Sequence, residues 1–291
     1  MLEQLDSRVP GWRDKVDLLA GTSTGGIIAL GLAKGLTPTE LRSFYYDKSP
    51  EIFADSFWDD LRDLGGITGA EYGIRGLRKN LEAVFGKTRL QDLRARVLIS
   101  SFDLDNEDKD PMKRQWKPKF FHNYPGQDSD GSSRASDVAL YSSAAPTYFP
   151  SVNGYIDGGV VANNPSMAAV AQTQDKRARI PKRPSIDEIV LLSVGTGEVL
   201  SFVPGKRHDW GFAQWAQPLV KLMLDGTLGV PDYQCKQILG KRYQRLNYAF
   251  PPGQEIELDE YEKRDRLVDI GENRMGSDLT KTARWLKREW V

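Results

Sequence analysis

Residues 17–35 read DLLAGTSTGGIIALGLAKG. An apolar run, a Gly-x-Ser-x-Gly pattern and a second apolar run follow one another without a break. A strand that turns sharply into a helix has this order, because glycines let the two backbones approach while the central residue takes a strained conformation that exposes its side chain. The stretch predicts a β-strand, a tight turn at 21–25 and a buried helix over 26–34.

The rest of the chain repeats this alternation. Strand-like apolar runs lie at 16–20, 96–102 and 188–194, with helical patterns between them. We expect an α/β fold with a central, mostly parallel sheet and helices on both faces. Capping signals predict further helices after Thr37 and after Asn164-Pro165. With no linker and no repeat, the 291 residues are expected to form one domain, 1–291.

Composition excludes several classes of function. Forty basic residues balance forty acidic ones, so the chain has no overall positive field and nucleic acid is not an expected partner. A single cysteine, Cys235, excludes an internal disulfide framework and a multi-cysteine zinc site. A chain with one cysteine suits a reducing compartment, and the charged N-terminus lacks the apolar core of a signal peptide. We therefore expect a cytoplasmic protein.

Ser23 is the candidate nucleophile of the turn. Gly21 and Gly25 flank it, and the helix predicted over 26–34 points its N-terminus at the serine, where the helix dipole favours developing negative charge. On this pattern alone, a glycine-rich turn without chemistry is equally frequent. A phosphate-binding loop is disfavoured, because Ile27 stands where such a loop requires lysine.

A serine nucleophile requires a base. The only histidines are His122, inside a polar stretch over 109–134 interpreted as a surface excursion, and His208, in a charged loop. Both are expected to be surface residues, which leaves a carboxylate as the candidate base. Asp157 follows a short apolar run and precedes two glycines, so we expect it at a strand end. By itself, Asp-Gly-Gly is most often an ordinary turn.

Three motifs in order strengthen this interpretation: GTSTGG at 21–26, SSAAPTYFP at 142–150 and DGGVVANNP at 157–165. Together they resemble the patatin-like phospholipases, including the calcium-independent phospholipases A2, and the similarity extends to about residue 250. The resemblance implies a three-layer α/β fold and a catalytic dyad of Ser23 as nucleophile and Asp157 as base. It also implies an acyl lipid substrate, and neither a cofactor nor a metal.

One feature of that family is missing ahead of the serine. Its members normally carry an upstream glycine-rich loop whose amides supply part of the oxyanion hole, and nothing similar precedes Ser23 in this sequence. The Thr24 amide would then be the chief donor, and we expect a weak hydrolase. The alternative is a catalytically silent relative that binds lipid or a protein partner.

Other candidate sites are weaker. An acidic cluster over 103–110 lacks the spacing of a calcium loop, so we interpret it as a solvated turn. Ser142 and Ser143 have no glycine elbow and are expected to be helix-end or packing residues. Residues 278–291 predict a basic amphipathic helix, which either packs on its own domain or contacts an anionic membrane. Peripheral membrane contact therefore stays open.

Overall fold

The computed structural model of the chain describes residues 1–53, 74–199, 211–251, 253–256 and 260–290. Their helices are α1 Leu2–Arg8, α2 Thr24–Lys34, α3 Pro38–Phe53, α4 Ile74–Phe85, α5 Ala135–Ser142, α6 Gly159–Ala162, α7 Ser166–Thr173, α8 Phe212–Gly226, α9 Gly229–Leu239, α10 Arg264–Asp269 and α11 Gly276–Glu289. The strands are β1 Leu18–Thr22, β2 Arg96–Asp103, β3 Lys117–His122, β4 Tyr155–Asp157, β5 Leu191–Val194, β6 Glu198–Val199, β7 Tyr243–Leu246 and β8 Ala249–Phe250. Both element types confirm the α/β class.

The expected strands and helix starts occur within a few residues of their predicted positions. Thr37 and Glu40 form the capping box of α3, since the Glu40 carboxylate accepts from the Thr37 amide at 2.7 Å and the Glu40 amide donates to the Thr37 hydroxyl at 3.2 Å. The second predicted helix start, after Asn164-Pro165, is confirmed by α7.

The described chain divides into two compact units, residues 17–183 and residues 1–16 with 184–291. The first unit contains a four-stranded sheet of β1 to β4, in which β1 pairs parallel to β2 while β3 and β4 pair antiparallel to it. This sheet is mixed, so the expected mostly parallel arrangement is not confirmed there. The three-layer arrangement and the single domain stay predictions.

The core of this unit is formed where α2 and α5 pack against β2 and α4 packs against these two helices. Leu30, Leu81, Ile99 and Val138 are fully or almost fully buried in it. Helix α2 is buried over much of its surface, as expected from its continuous apolar sequence. The core therefore fixes the helix that follows Ser23 and the strand beside it.

The second unit contains two short parallel strand pairs, β5 with β7 and β6 with β8. Helix α11 packs its apolar side inward, with Leu279 and Leu286 buried in the same core as Leu5. Trp290 contacts Trp12, and its indole N–H donates to the Trp12 carbonyl at 3.0 Å. The C-terminal amphipathic helix thus buries its apolar face within its own unit. No helix in the described ranges is long and apolar enough to cross a bilayer.

Candidate active site

Ser23 occupies the sharp turn between β1 and α2. Its backbone has φ 54° and ψ −126°, a positive φ that non-glycine residues rarely adopt. A Cβ placed on Gly21 would lie 2.1 Å from the Gly25 carbonyl oxygen, so only glycine fits at 21. A Cβ on Gly25 would meet no described atom within 4 Å. The close approach expected of both glycines is therefore required only at Gly21.

Strand pairing brings Asp157 to this turn. Thr22, the last residue of β1, lies opposite Ser100 of β2, and Asp157, the last residue of β4, lies opposite Ser101. Because β3 occupies the other edge of β2 over the same residues, β1 and β4 share one edge and run towards each other along it. Their ends meet, and the residues that follow each end leave the sheet. The geometry places Ser23 beside Asp157.

The Asp157 side chain is 2% exposed and is hydrogen-bonded to two groups. The Ser23 side chain is one partner, and the Gly159 amide, which donates to Oδ1 at 2.6 Å, is the other. Burial raises the pKa of the Asp157 carboxyl to about 6, and both hydrogen bonds act in the opposite direction. The carboxyl is consequently a stronger base than an exposed aspartate, yet it is still ionised at neutral pH.

The position after Asp157 also requires glycine, because a side chain there would clash with β2. A Cβ on Gly158 would lie 2.4 Å from the Ser100 carbonyl carbon and 2.5 Å from its hydroxyl oxygen. The Ser100 hydroxyl hydrogen-bonds with the Thr22 hydroxyl at 2.5 Å, beneath the turn. The glycine of the Asp-Gly-Gly motif therefore allows α6 to start directly against β2.

The start of α2 offers donors for an oxyanion. The Ser23 carbonyl accepts from the Gly26 and Ile27 amides at 2.8 and 3.1 Å, which fixes the peptide group whose N–H belongs to Thr24. Thr24 is the first residue of the helix, where amides have no partner within the helix. The hydroxyl of Tyr45, kept protonated because burial raises its pKa, donates to the Thr24 carbonyl at 2.9 Å. Hydrogen bonds to the Ser23 and Thr24 carbonyls thus fix the peptide groups on both sides of Thr24.

His122 stands apart from this arrangement. The expectation that His122 is a surface residue is wrong: it is 5% exposed and ends β3, opposite Leu98. Residues 117–122 add a strand to β2 because their C-terminal half is apolar enough to be buried, so the polar excursion is shorter than expected. His122 Nε2 lies 3.7 Å from an Asp128 carboxylate oxygen, and burial lowers the histidine pKa. His208 lies outside the described residues.

Side chains of the acidic cluster form ion pairs with basic residues nearby in the sequence. Arg114 binds the Asp105 carboxylate through Nε at 2.9 Å, and Lys113 lies 3.3 Å from the Asp110 carboxylate. Within the part of the chain that the structure describes, no group of three or more histidine, cysteine, aspartate or glutamate side chains is arranged to hold a metal ion.

One residue near the turn was not expected to have a role. The Ser142 hydroxyl accepts a hydrogen bond from the Ser23 amide at 2.8 Å. Ser142 does end α5, as a helix-end residue should. The sequence contains no signal that separates it from Ser143, because only the direction of each side chain distinguishes the two.

Comparison with known proteins identifies the family of this chain. The profile of the family described as "Patatin-like phospholipase" matches residues 1–170. The chain belongs to the patatin-like phospholipase family. It is 32% identical over 278 residues to "Protein teg" of Priestia megaterium, which covers 86% of this chain and 83% of that protein.

Two further relatives are longer than the matched segment. A "cGAMP-activated phospholipase" of Escherichia coli is 35% identical over 222 residues, covering 69% of this chain and 59% of that protein. "Patatin-like protein 1" of Oryza sativa subsp. indica is 29% identical over 268 residues, covering 79% of this chain and 63% of the rice protein. The chain therefore spans about three fifths of the length of these two relatives.

Proposed function

We propose that this protein is a serine acyl hydrolase that cleaves fatty acyl esters of phospholipids or related lipids. The observation that carries the proposal is a buried carboxylate, Asp157, hydrogen-bonded to the side chain of a serine in a strained strand–helix turn. The family to which the chain belongs and the printed name of the Escherichia coli relative support a lipid ester as the substrate.

The proposed reaction has two halves. Asp157 takes the proton of the Ser23 hydroxyl while the serine oxygen attacks the ester carbonyl, and the carbonyl oxygen becomes an oxyanion near the Thr24 amide and the α2 N-terminus. Collapse of this intermediate breaks the ester bond, and the protonated Asp157 returns the proton to the departing alcohol. Water then attacks the acyl-serine in the same way, which releases the fatty acid and restores both side chains.

The position of Asp157 suits this double role. A general base works best when its pKa is close to the operating pH, and burial moves the pKa of Asp157 to about 6. A carboxyl with that pKa is ionised at pH 7 and holds a proton more firmly than an exposed aspartate. All proposed steps use this chain's own groups, so we expect hydrolysis to be insensitive to calcium chelation.

A lipid substrate is presented at a surface, and we propose that the loop between β2 and β3 contacts it. Met112 and Trp116 on this loop are 91% and 72% exposed. The loop follows β2, and the C-terminal half of that strand contains Ser100 and Ser101, which pair with the two candidate catalytic segments. Tryptophan favours the interface of a bilayer, and an exposed apolar side chain such as that of Met112 adds apolar area that a bilayer can bury.

Charge indicates which lipid surface this loop fits. Residues 104–116 contain four acidic and three basic side chains, so the loop has no positive excess that would favour an anionic lipid surface. We expect Trp116→Ala to weaken binding to phosphatidylcholine vesicles while leaving hydrolysis of a soluble ester unchanged. Tyr233→Ala, which removes an exposed aromatic ring from α9, is the control. Equal vesicle binding by wild type and Trp116→Ala would contradict the proposal.

The experiment for the enzymatic proposal is release of fatty acid from phospholipid by the wild type, Ser23→Ala and Asp157→Asn. We expect release by the wild type only, because one variant lacks the attacking oxygen and the other cannot accept its proton. His122→Ala is the control and should stay active. A wild type without activity towards any acyl ester would instead favour the silent lipid-binding alternative.

A further inference from the structure

Ser142 lies at the end of α5 and its side chain is fully buried. Its hydroxyl oxygen accepts the hydrogen bond of the Ser23 amide at 2.8 Å. A Cβ placed on Gly26 would lie 3.1 Å from the same oxygen, so the hydroxyl fits closely against the first turn of α2. This contact joins a side chain of α5 to the backbone of the candidate nucleophile.

The Ser23 amide has no regular partner in the fold. The paired residues of β1 end at Thr22, and the hydrogen bonds of α2 begin with the Ser23 carbonyl, which accepts from Gly26 and Ile27. A backbone amide inside the protein requires an acceptor, and a residue held at positive φ keeps its conformation only where its surroundings impose it. Ser142 supplies that acceptor at the strained residue itself.

The same segment also holds the other candidate catalytic residue. Two residues after Ser142, the Ala144 carbonyl accepts from the Asp157 amide at 2.9 Å. One residue before it, the Tyr141 ring stacks on Tyr155 of β4 with centroids 4.8 Å apart. Residues 141–144 therefore contact the backbone on both sides of the Ser23–Asp157 pair.

We propose that Ser142 is a positioning residue that fixes Ser23 at hydrogen-bonding distance from Asp157. The inference rests on the proposed roles of those two residues. Ser142 touches neither the substrate nor the transferred proton; it acts through the Ser23 backbone, while the Ala144 carbonyl holds the Asp157 backbone from the same segment. Loss of its acceptor lets Ser23 relax from the strained conformation and move away from the carboxylate.

Ser143 provides a matched control on the same chain segment. It is 6% exposed, and its hydroxyl has no hydrogen-bond partner among the described residues. Ser143→Ala therefore removes the same atom from a neighbouring buried position without affecting the Ser23 amide. A difference between Ser142→Ala and Ser143→Ala reports the hydrogen bond and not the loss of a hydroxyl as such.

The test is the rate of labelling by a fluorophosphonate as a function of pH, measured for the full chain with each substitution. Ser142→Ala is expected to react about 5- to 10-fold more slowly than Ser143→Ala, the scale of one hydrogen bond. The Ser23 hydrogen bond lowers the pKa of Asp157, so its weakening should also move the midpoint of the acid limb to higher pH. Faster hydrogen exchange at the Ser23 amide should accompany both changes.

Three results would overturn the proposal. Equal labelling rates for Ser142→Ala and Ser143→Ala would show that the hydrogen bond is dispensable. Slower labelling with an unchanged midpoint would assign Ser142 to general packing. Ser142→Cys retains a weak acceptor and covers the case in which the alanine variant does not fold; a wild-type rate for it would count against the proposal. Labelling that persists in Ser23→Ala would instead refute the proposed function.

Discussion

Asp157→Asn is expected to stabilise the first unit above pH 6 while abolishing hydrolysis. The buried carboxyl has a pKa of about 6 in the folded chain against an ordinary value of 3.8. Between these two values the unfolded chain has lost the proton that the folded chain still holds, so rising pH favours the unfolded state. The difference of about 2.2, multiplied by about 1.36 kcal/mol for each pH unit, gives a cost of about 3 kcal/mol above pH 6.

Asparagine does not ionise, so Asp157→Asn lacks this pH-dependent destabilisation. Its amide oxygen can accept from the Gly159 amide while its NH2 group donates to the Ser23 hydroxyl, and neither of these contacts depends on pH. The free energy of unfolding of Asp157→Asn should therefore rise relative to the wild type as pH increases from 4 to 6, by about 3 kcal/mol in total, and then level off.

This difference can be measured by unfolding each variant in urea and monitoring unfolding through the hydrogen exchange of the β2 amides, because β2 pairs directly with β4. Glu82→Gln, which removes an exposed carboxylate from α4 in the same unit, is the control and should show no comparable divergence from the wild type. A difference between Asp157→Asn and the wild type that is constant from pH 4 to pH 8 would refute the reasoning, since the carboxyl would then titrate alike in both states.

Three further predictions concern the same site. Hydrolysis should increase with pH with a midpoint of about 6, because Asp157 must be ionised to act as base; a pH-independent rate from pH 5 to pH 8 would contradict this assignment. Gly158→Ala should destabilise the fold by about 1–3 kcal/mol or more in thermal unfolding, since its Cβ would lie 2.4 Å from a Ser100 backbone atom, whereas Gly25→Ala should fold normally. His122→Ala should lose stability but keep most of its hydrolysis of a soluble ester, and inactivity comparable to that of Ser23→Ala would replace the dyad by a triad.

The turn at Ser23 could be predicted because its determinants are local. An apolar strand, a glycine that meets a backbone carbonyl and a continuous apolar helix are all adjacent in the sequence. The capping box at Thr37 was predictable for the same reason. Gly25 shows the limit of such reasoning, because the space around its Cβ depends on elements that are remote in the sequence.

The remaining features depend on contacts between distant segments. Strand β4 has only three residues, too few to produce a periodic pattern, and it pairs with residues 101–103 of β2, which are remote in the sequence. The burial of His122 depends on β3 joining the sheet, which its lysine-rich beginning does not suggest. The choice between Ser142 and Ser143 is made by the orientation of α5 against the turn, which neighbouring identical residues cannot reveal.

Mapping the site of fluorophosphonate attachment tests the central claim most directly, because the reagent reports an activated serine whatever the natural lipid. Intact-mass and peptide analysis should find one adduct, on Ser23, formed at a rate that rises through pH 6. Ser23→Ala should take up no label, and Asp157→Asn should take it up far more slowly than the wild type. An adduct on another serine, or undiminished labelling of Asp157→Asn, would contradict the proposed dyad.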